Sequence, residues 1–116
     1  MSHQHQQLAA GRWSKLSFFE QMANIGSEVE RAIRWKERKN ADYSQQAFER
    51  ALELLDLTIA DEKNKKKLRE LLRTREVLAD YFVFGNSYKS TAKSWRNYFL
   101  AFGFAARANQ QLYTLT

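Results

Sequence analysis

The side chain hardest to place is Arg75. In the stretch "LRELLRTREVLADYF", residues 68–82, it stands three, four or seven positions from Leu71, Leu72, Leu78, Ala79 and Phe82, so a helix would set it on the same face as those apolar groups. A guanidinium buried there without a counter-charge would be very costly, and an acid must answer it. Asp56, hemmed in by leucines in "LELLDLTI", is the natural partner on the preceding helix, with Glu28 and Asp80 as alternatives. A buried Arg75–Asp56 pair would fix the register of two helices. The other chemistry open to it is a polar site inside a bundle.

Two basic clusters could do a different kind of chemistry, the binding of phosphates. One is Arg31, Arg34, Trp35, Arg38 and Lys39, with Lys36, in "RAIRWKERKN"; the other is Lys63, Lys65, Lys66, Lys67, Arg69 and Arg73 in "DEKNKKKLRELLR". The first is expected at the C-terminus of a helix, where the macrodipole already favours cations. The second is expected at a helix N-terminus, where lysines oppose the dipole. That makes it the better candidate for phosphate contact, weighed evenly against a merely solvated turn. Trp35, among arginines and lysines, could stack on an unpaired base. The many other aromatic residues are expected in part to line a contact between copies of the chain, where such residues are enriched.

Enzyme signatures are nearly absent. The sequence holds no glycine-rich phosphate loop and no Glu-x-x-His pair, and its two histidines, His3 and His5, both lie near the N-terminus. The expected protein is therefore non-catalytic, without cofactor or metal.

The elements that would hold these residues read as helices throughout. "SFFE", residues 17–20, has the form of a capping box. After it Phe18, Met22, Ile25, Val29 and Ile33 recur at steps of four and three. A second helix, capped by Asn40 or Asp42, carries Phe48, Leu52, Leu55 and Ile59, and its pattern makes it the most buried of the set. A third carries Leu68, Leu71, Leu72 and Leu78. It breaks at "FGNSYKST", where Gly85 and Asn86 suit a left-handed turn and Ser90 or Thr91 can cap the next helix. The fourth presents Trp95, Phe99, Phe102 and Ala106, with Tyr98 and Phe104 beside them. Helices near 17–38, 42–60, 63–83 and 91–110, joined by short loops, predict an all-α fold, an antiparallel up-down four-helix bundle.

Residues 1–11 are polar and aperiodic and are expected to form a flexible tail before a single domain over 12–116. With 28% charged and 44% hydrophobic residues the chain has the composition of a globular rather than a disordered protein. It has no cysteine, which suits a reducing compartment, and no run of ~20 apolar residues; a cytoplasmic protein without a membrane span is expected. The net charge of +6 biases its partners toward nucleic acid.

The blocks "WSKLSFFEQMANIGSEVERAIRWKERKN", "FERALELLDLTIAD", "REVLADYF" and "YKSTAKSWRNYFLAFGFAAR" resemble those of a family of short uncharacterised bacterial helical-bundle proteins, over about residues 12 to 108. In size, charge and helix count the chain is also similar to the four-helix accessory proteins of diversity-generating retroelements. That likeness implies a ring-shaped homo-oligomer that binds RNA and a reverse transcriptase. "YSQQAFERALELL" looks like the helical partners of minimal nucleotidyltransferases, which implies a protein-interaction or antitoxin-like module instead. The ribonucleases of that group carry an Arg, a polar residue and a His close together. Here Arg96 and Asn97 are followed by no histidine, which argues against RNA cleavage.

Overall fold

The computed structural model describes residues 11–115, with side chains to residue 108. His3 and His5, and most of the expected tail, lie outside the described residues. Four long helices dominate: α1 (Phe18–Glu37), α2 (Ala41–Ala60), α3 (Leu68–Phe82) and α4 (Ala92–Leu115), with a 3₁₀ helix (Glu62–Lys67) between α2 and α3. No strand occurs among the described residues. No helix among them is long and apolar enough to cross a membrane.

Local chemistry starts and stops each helix. Ser17 Oγ accepts from the Glu20 N–H at 3.1 Å while Glu20 Oε1 accepts from the Ser17 N–H at 3.1 Å, a complete capping box. Asn40 rather than Asp42 caps α2, its Oδ1 accepting from the Tyr43 N–H at 3.0 Å. Thr91 caps α4, and Ser94 bonds back to the Thr91 N–H. α1 ends with the Asn40 N–H donating to the Trp35 carbonyl and the Lys39 N–H to that of Lys36. This is a Schellman turn with Lys39 at its left-handed position, φ 61°, where glycine is the usual occupant.

The packing centres on α1, which lies against α2 on one side and α4 on the other; α3 packs on α2. Asp61, after the end of α2, bonds Gln21 near the start of α1, so the two run in opposite directions. Arg96 near the start of α4 reaches Glu30 and Glu37 in the second half of α1, while Phe102 meets Phe18 at its beginning. Gly26 permits a close approach of α1 and α4, since a Cβ there would stand 2.7 Å from the Cβ of Phe99. The seam between α3 and α4 is thinner. The Thr74 and Tyr98 hydroxyls bond across it at 3.0 Å, and the Trp95 indole N–H is buried without an acceptor among the described residues.

The core consists of Met22, Ile25, Val29 and Ile33 from α1, Phe48 and Leu55 from α2, Leu71 and Leu78 from α3, and Trp95 and Phe99 from α4. α2 is no more buried than α1, because each is packed from two sides, α1 by α2 and α4 and α2 by α1 and α3. On α3 the buried stripe is Leu71, Thr74 and Leu78, whereas Leu68 and Leu72 are exposed. The inward face is thus rotated away from the one the leucines alone suggest. Phe104, expected beside the α4 seam, is also exposed.

Candidate nucleic-acid interface

The lysine turn is built on neutral side chains buried under it. Gln21 is fully buried, and its Nε2 donates to the Trp13 carbonyl at 2.9 Å and to Asp61 Oδ2 at 2.9 Å. Asn64 Nδ2 donates to Gln21 Oε1 at 2.8 Å and to the Thr58 carbonyl at 3.0 Å. Trp13 Nε1 donates to Thr58 Oγ1 at 2.9 Å, which donates in turn to the Leu54 carbonyl at 2.7 Å. These buried polar groups are mutually satisfied, which is what makes them tolerable in a core. Residues 11–13, which carry Trp13, are helical and belong to this node.

That node fixes the backbone of the 3₁₀ helix and sorts its lysines. Lys63 is ion-paired with Asp61 and donates to the Ser14 carbonyl at 3.0 Å, so it is a structural group. Burial pushes the Asp61 carboxyl up, but the Lys63 ammonium and the Gln21 amide outweigh it and hold it below its ordinary range. Lys67 lies over the Phe18 ring, 5.6 Å from its centre, and Arg73 over Tyr88 at 5.1 Å. Lys65, Lys66 and Arg69 are exposed, with no carboxylate within ion-pairing distance among the described residues. Lys65, Lys66 and Lys67 form the last turn of the 3₁₀ helix, and Lys67 is also the N-cap of α3, so these cations stand where the two helices meet, at the N-terminus of α3.

The arginine end of α1 uses its cations differently. Arg31 pairs with Glu28 at 3.0 Å and Arg34 with Glu30 at 3.1 Å, along the helix. Arg96 from α4 bonds Glu30 at 2.8 Å and Glu37 at 3.0 Å. These contacts, that with Arg96 foremost, hold the Glu30 carboxyl below its ordinary range despite partial burial. Lys36 sits over the Tyr81 ring at 3.9 Å. Trp35 is half-buried, with Tyr43 edge-on at 4.8 Å and the Arg38 guanidinium at 5.6 Å from its ring. Base stacking on Trp35 would compete with these two contacts. Lys39 is the left-handed turn residue described above.

The two clusters do not merge. They lie toward opposite ends of α1, Lys67 against Phe18 at its start and Arg31, the first of the arginines, about 20 Å further along the helix. Arg75 does pair with Asp56, Nε to Oδ1 at 2.8 Å and Nη2 to Oδ2 at 3.4 Å. The pair is not buried, since the two side chains remain 39% and 56% exposed. Arg75 sits about 70° round α3 from the centre of its buried stripe, on the flank, so no interior polar site forms there. Among the buried polar residues that sequence reasoning missed, Gln21 and Asn64 hold the lysine turn. Gln21 carried the same signal as Arg75, a polar side chain three and four positions from Phe18 and Ile25.

Asp80 organises the α3–α4 connection. Its Oδ2 accepts from the Tyr88 N–H at 2.9 Å, and its Oδ1 from the Ser87 N–H and hydroxyl, each at 2.9 Å. These bonds favour the ionised carboxylate and hold its pKa below the usual range. Among the described residues no group of three or more His, Cys, Asp or Glu side chains could hold a metal ion. No family model, no curated protein and no solved structure matches the chain.

Proposed function

We propose that this chain is a non-catalytic, cytoplasmic accessory protein, an antiparallel up-down four-helix bundle that binds nucleic acid, RNA in preference to DNA, through the free cations of the lysine turn. The observation that carries the reading is the state of Lys65, Lys66 and Arg69: exposed, unpaired among the described residues, and presented by a backbone that Gln21, Asn64 and Asp61 hold in place. A fixed platform loses little entropy when phosphates dock, and point charges of this kind act mainly by releasing counterions. The opposed directions of α1 against α2 and α4 support the bundle topology. Exposed Phe19, Phe84 and Phe104 support self-association.

Fluorescence anisotropy with a single-stranded RNA at two salt concentrations tests the reading. Binding should fall steeply with salt and depend little on sequence. An unmodified protein that fails to bind at low salt ends it. A second reading, a protein-interaction module, is favoured by a different feature, the apolar groove along α1 and α4.

A further inference from the structure

Between the outer faces of α1 and α4 runs a groove of about 660 Å³. Its residues change character along its length. At the end toward the start of α1 it is lined by Ala23, Gly26, Leu100 and Gly103; at the other end it is lined by Arg31, Arg34, Arg38 and Arg96, against Glu30 as the one carboxylate in its lining. From Ala23 to Arg38 it covers about 22 Å, or some four helical turns. Leu100 is 54% exposed and Phe104, one turn further along α4, is 59% exposed.

We propose that this groove receives an amphipathic helix of a protein partner, with small apolar residues along its inner face and acidic residues at the end that meets the arginines. The charge is complementary: Glu30 is shared between Arg34 and Arg96, and Arg38 has no carboxylate within ion-pairing distance among the described residues. Arg34, 69% exposed and bonded through Nε alone, keeps its terminal N–H groups for an incoming carboxylate. Two adjacent helices form a trough into which a third packs ridge into groove, and small side chains let its backbone come close. A nucleic acid fits the site less well. The Trp95 ring in the floor is 6% exposed and stacked on Phe99, and Trp35 already has Tyr43 edge-on and the Arg38 guanidinium beside it, so neither tryptophan offers a fully open face to a base. This surface is separate from the lysine turn, so RNA binding there can fail while the groove retains its partner.

The test uses the full chain and a fluorescein-labelled helical peptide of about 16 residues, with leucine and alanine on one face and glutamates at one end. A counterpart carrying lysines in place of the glutamates and a uridine-only RNA serve as competing probes. Saturable binding of the acidic peptide is expected, at least tenfold tighter than that of the lysine peptide. Gly103→Leu should plug the groove and weaken binding tenfold or more. A Cβ at Gly103 meets nothing nearer than Arg107 Nη1 at 3.7 Å, so the helix should accept it. The exposed pair Arg34→Glu with Arg38→Glu gives a second, independent loss of the same size, with the helical circular dichroism signal unchanged. Equal binding of the two peptides, no saturable binding, or indifference to both variants overturns the proposal. So does RNA that competes for the groove, or a self-association that Gly103→Leu abolishes, since the occupant is then a nucleic acid or a second copy.

Discussion

The two basic ends of the molecule carry similar numbers of cations and hold them in opposite ways. At the arginine end, Arg31, Arg34 and Arg96 are committed to Glu28, Glu30 and Glu37, and Lys36 and Arg38 lie over aromatic rings. At the lysine end the carboxylate of Asp61 holds Lys63, and neutral amides fix the rest of the backbone. Lys65, Lys66 and Arg69 are left over. Net charge does not distinguish these cases. What distinguishes them is where the carboxylates sit, and at the arginine end they occur at helical spacing, whereas at the lysine end the supporting groups are Gln21 and Asn64.

The largest effect should come from breaking the lysine end at its root. Asn64→Ala leaves Gln21 Oε1 buried without a donor, at about 1–3 kcal/mol, while the Thr58 carbonyl keeps the Asp61 N–H. A loss of about 1–3 kcal/mol in chemical denaturation is expected, and RNA affinity should fall with it. A comparable break between the two ends, at the contact of α1 with α4, is Gly26→Ala. Overpacking against Phe99 costs about 1–3 kcal/mol, and the gain in helix propensity returns no more than about 1 kcal/mol. A net loss of about 1–2 kcal/mol is expected, because the atom in the way is a Cβ that moves only with its helix.

Acid should separate the two ends further. Asp61 and Glu30 both titrate lower in the folded chain than their ordinary values of 3.8 and 4.5. Between the folded and unfolded values the unfolded chain binds more protons, so each stabilisation is complete above the ordinary value and is lost as pH falls through the folded one. Asp61, whose side chain is 9% exposed, should matter more than Glu30 at 31%. Asp61→Asn should cost about 1–3 kcal/mol at neutral pH and flatten the acid limb of the stability curve. Glu30→Gln should cost less than about 1 kcal/mol. Equal effects would mean that the Asp61 node is as solvent-screened as the arginine network. The smallest effect belongs to Arg75, which lies outside both ends. Arg75→Met should change stability by no more than about 1 kcal/mol, as expected of an exposed ion pair.

Helix identity and most helix boundaries were legible in the sequence because caps and hydrophobic spacing are local. Ser17 with Glu20 and the left-handed Gly85 and Asn86 are decided within a few residues, and the caps of α2 and α4 are narrowed to Asn40 or Asp42 and to Ser90 or Thr91, of which the structure uses Asn40 and Thr91. The Arg75–Asp56 pairing was legible too, but its exposure was not. Which side of α3 turns inward depends on α2 and α4, and they select Leu71, Thr74 and Leu78 over the equally apolar Leu68 and Leu72. Likewise "DEKNKKK" reads as a solvated run, because nothing local announces that Asn64 will face Gln21, 43 residues away in sequence. The 3₁₀ turn is held by that long-range bond network.

The measurement that bears most directly on the lysine turn as an RNA-binding surface is the slope of log affinity against log salt for a single-stranded RNA. It would be measured on the unmodified chain and on two triple variants. Each lost phosphate contact should flatten the slope by about 0.7. Lys65→Gln with Lys66→Gln and Arg69→Gln should therefore flatten it by about 2, while Arg31→Gln with Arg34→Gln and Arg38→Gln should leave it nearly unchanged. A slope that the first triple leaves intact, or that the second flattens as much, contradicts the account.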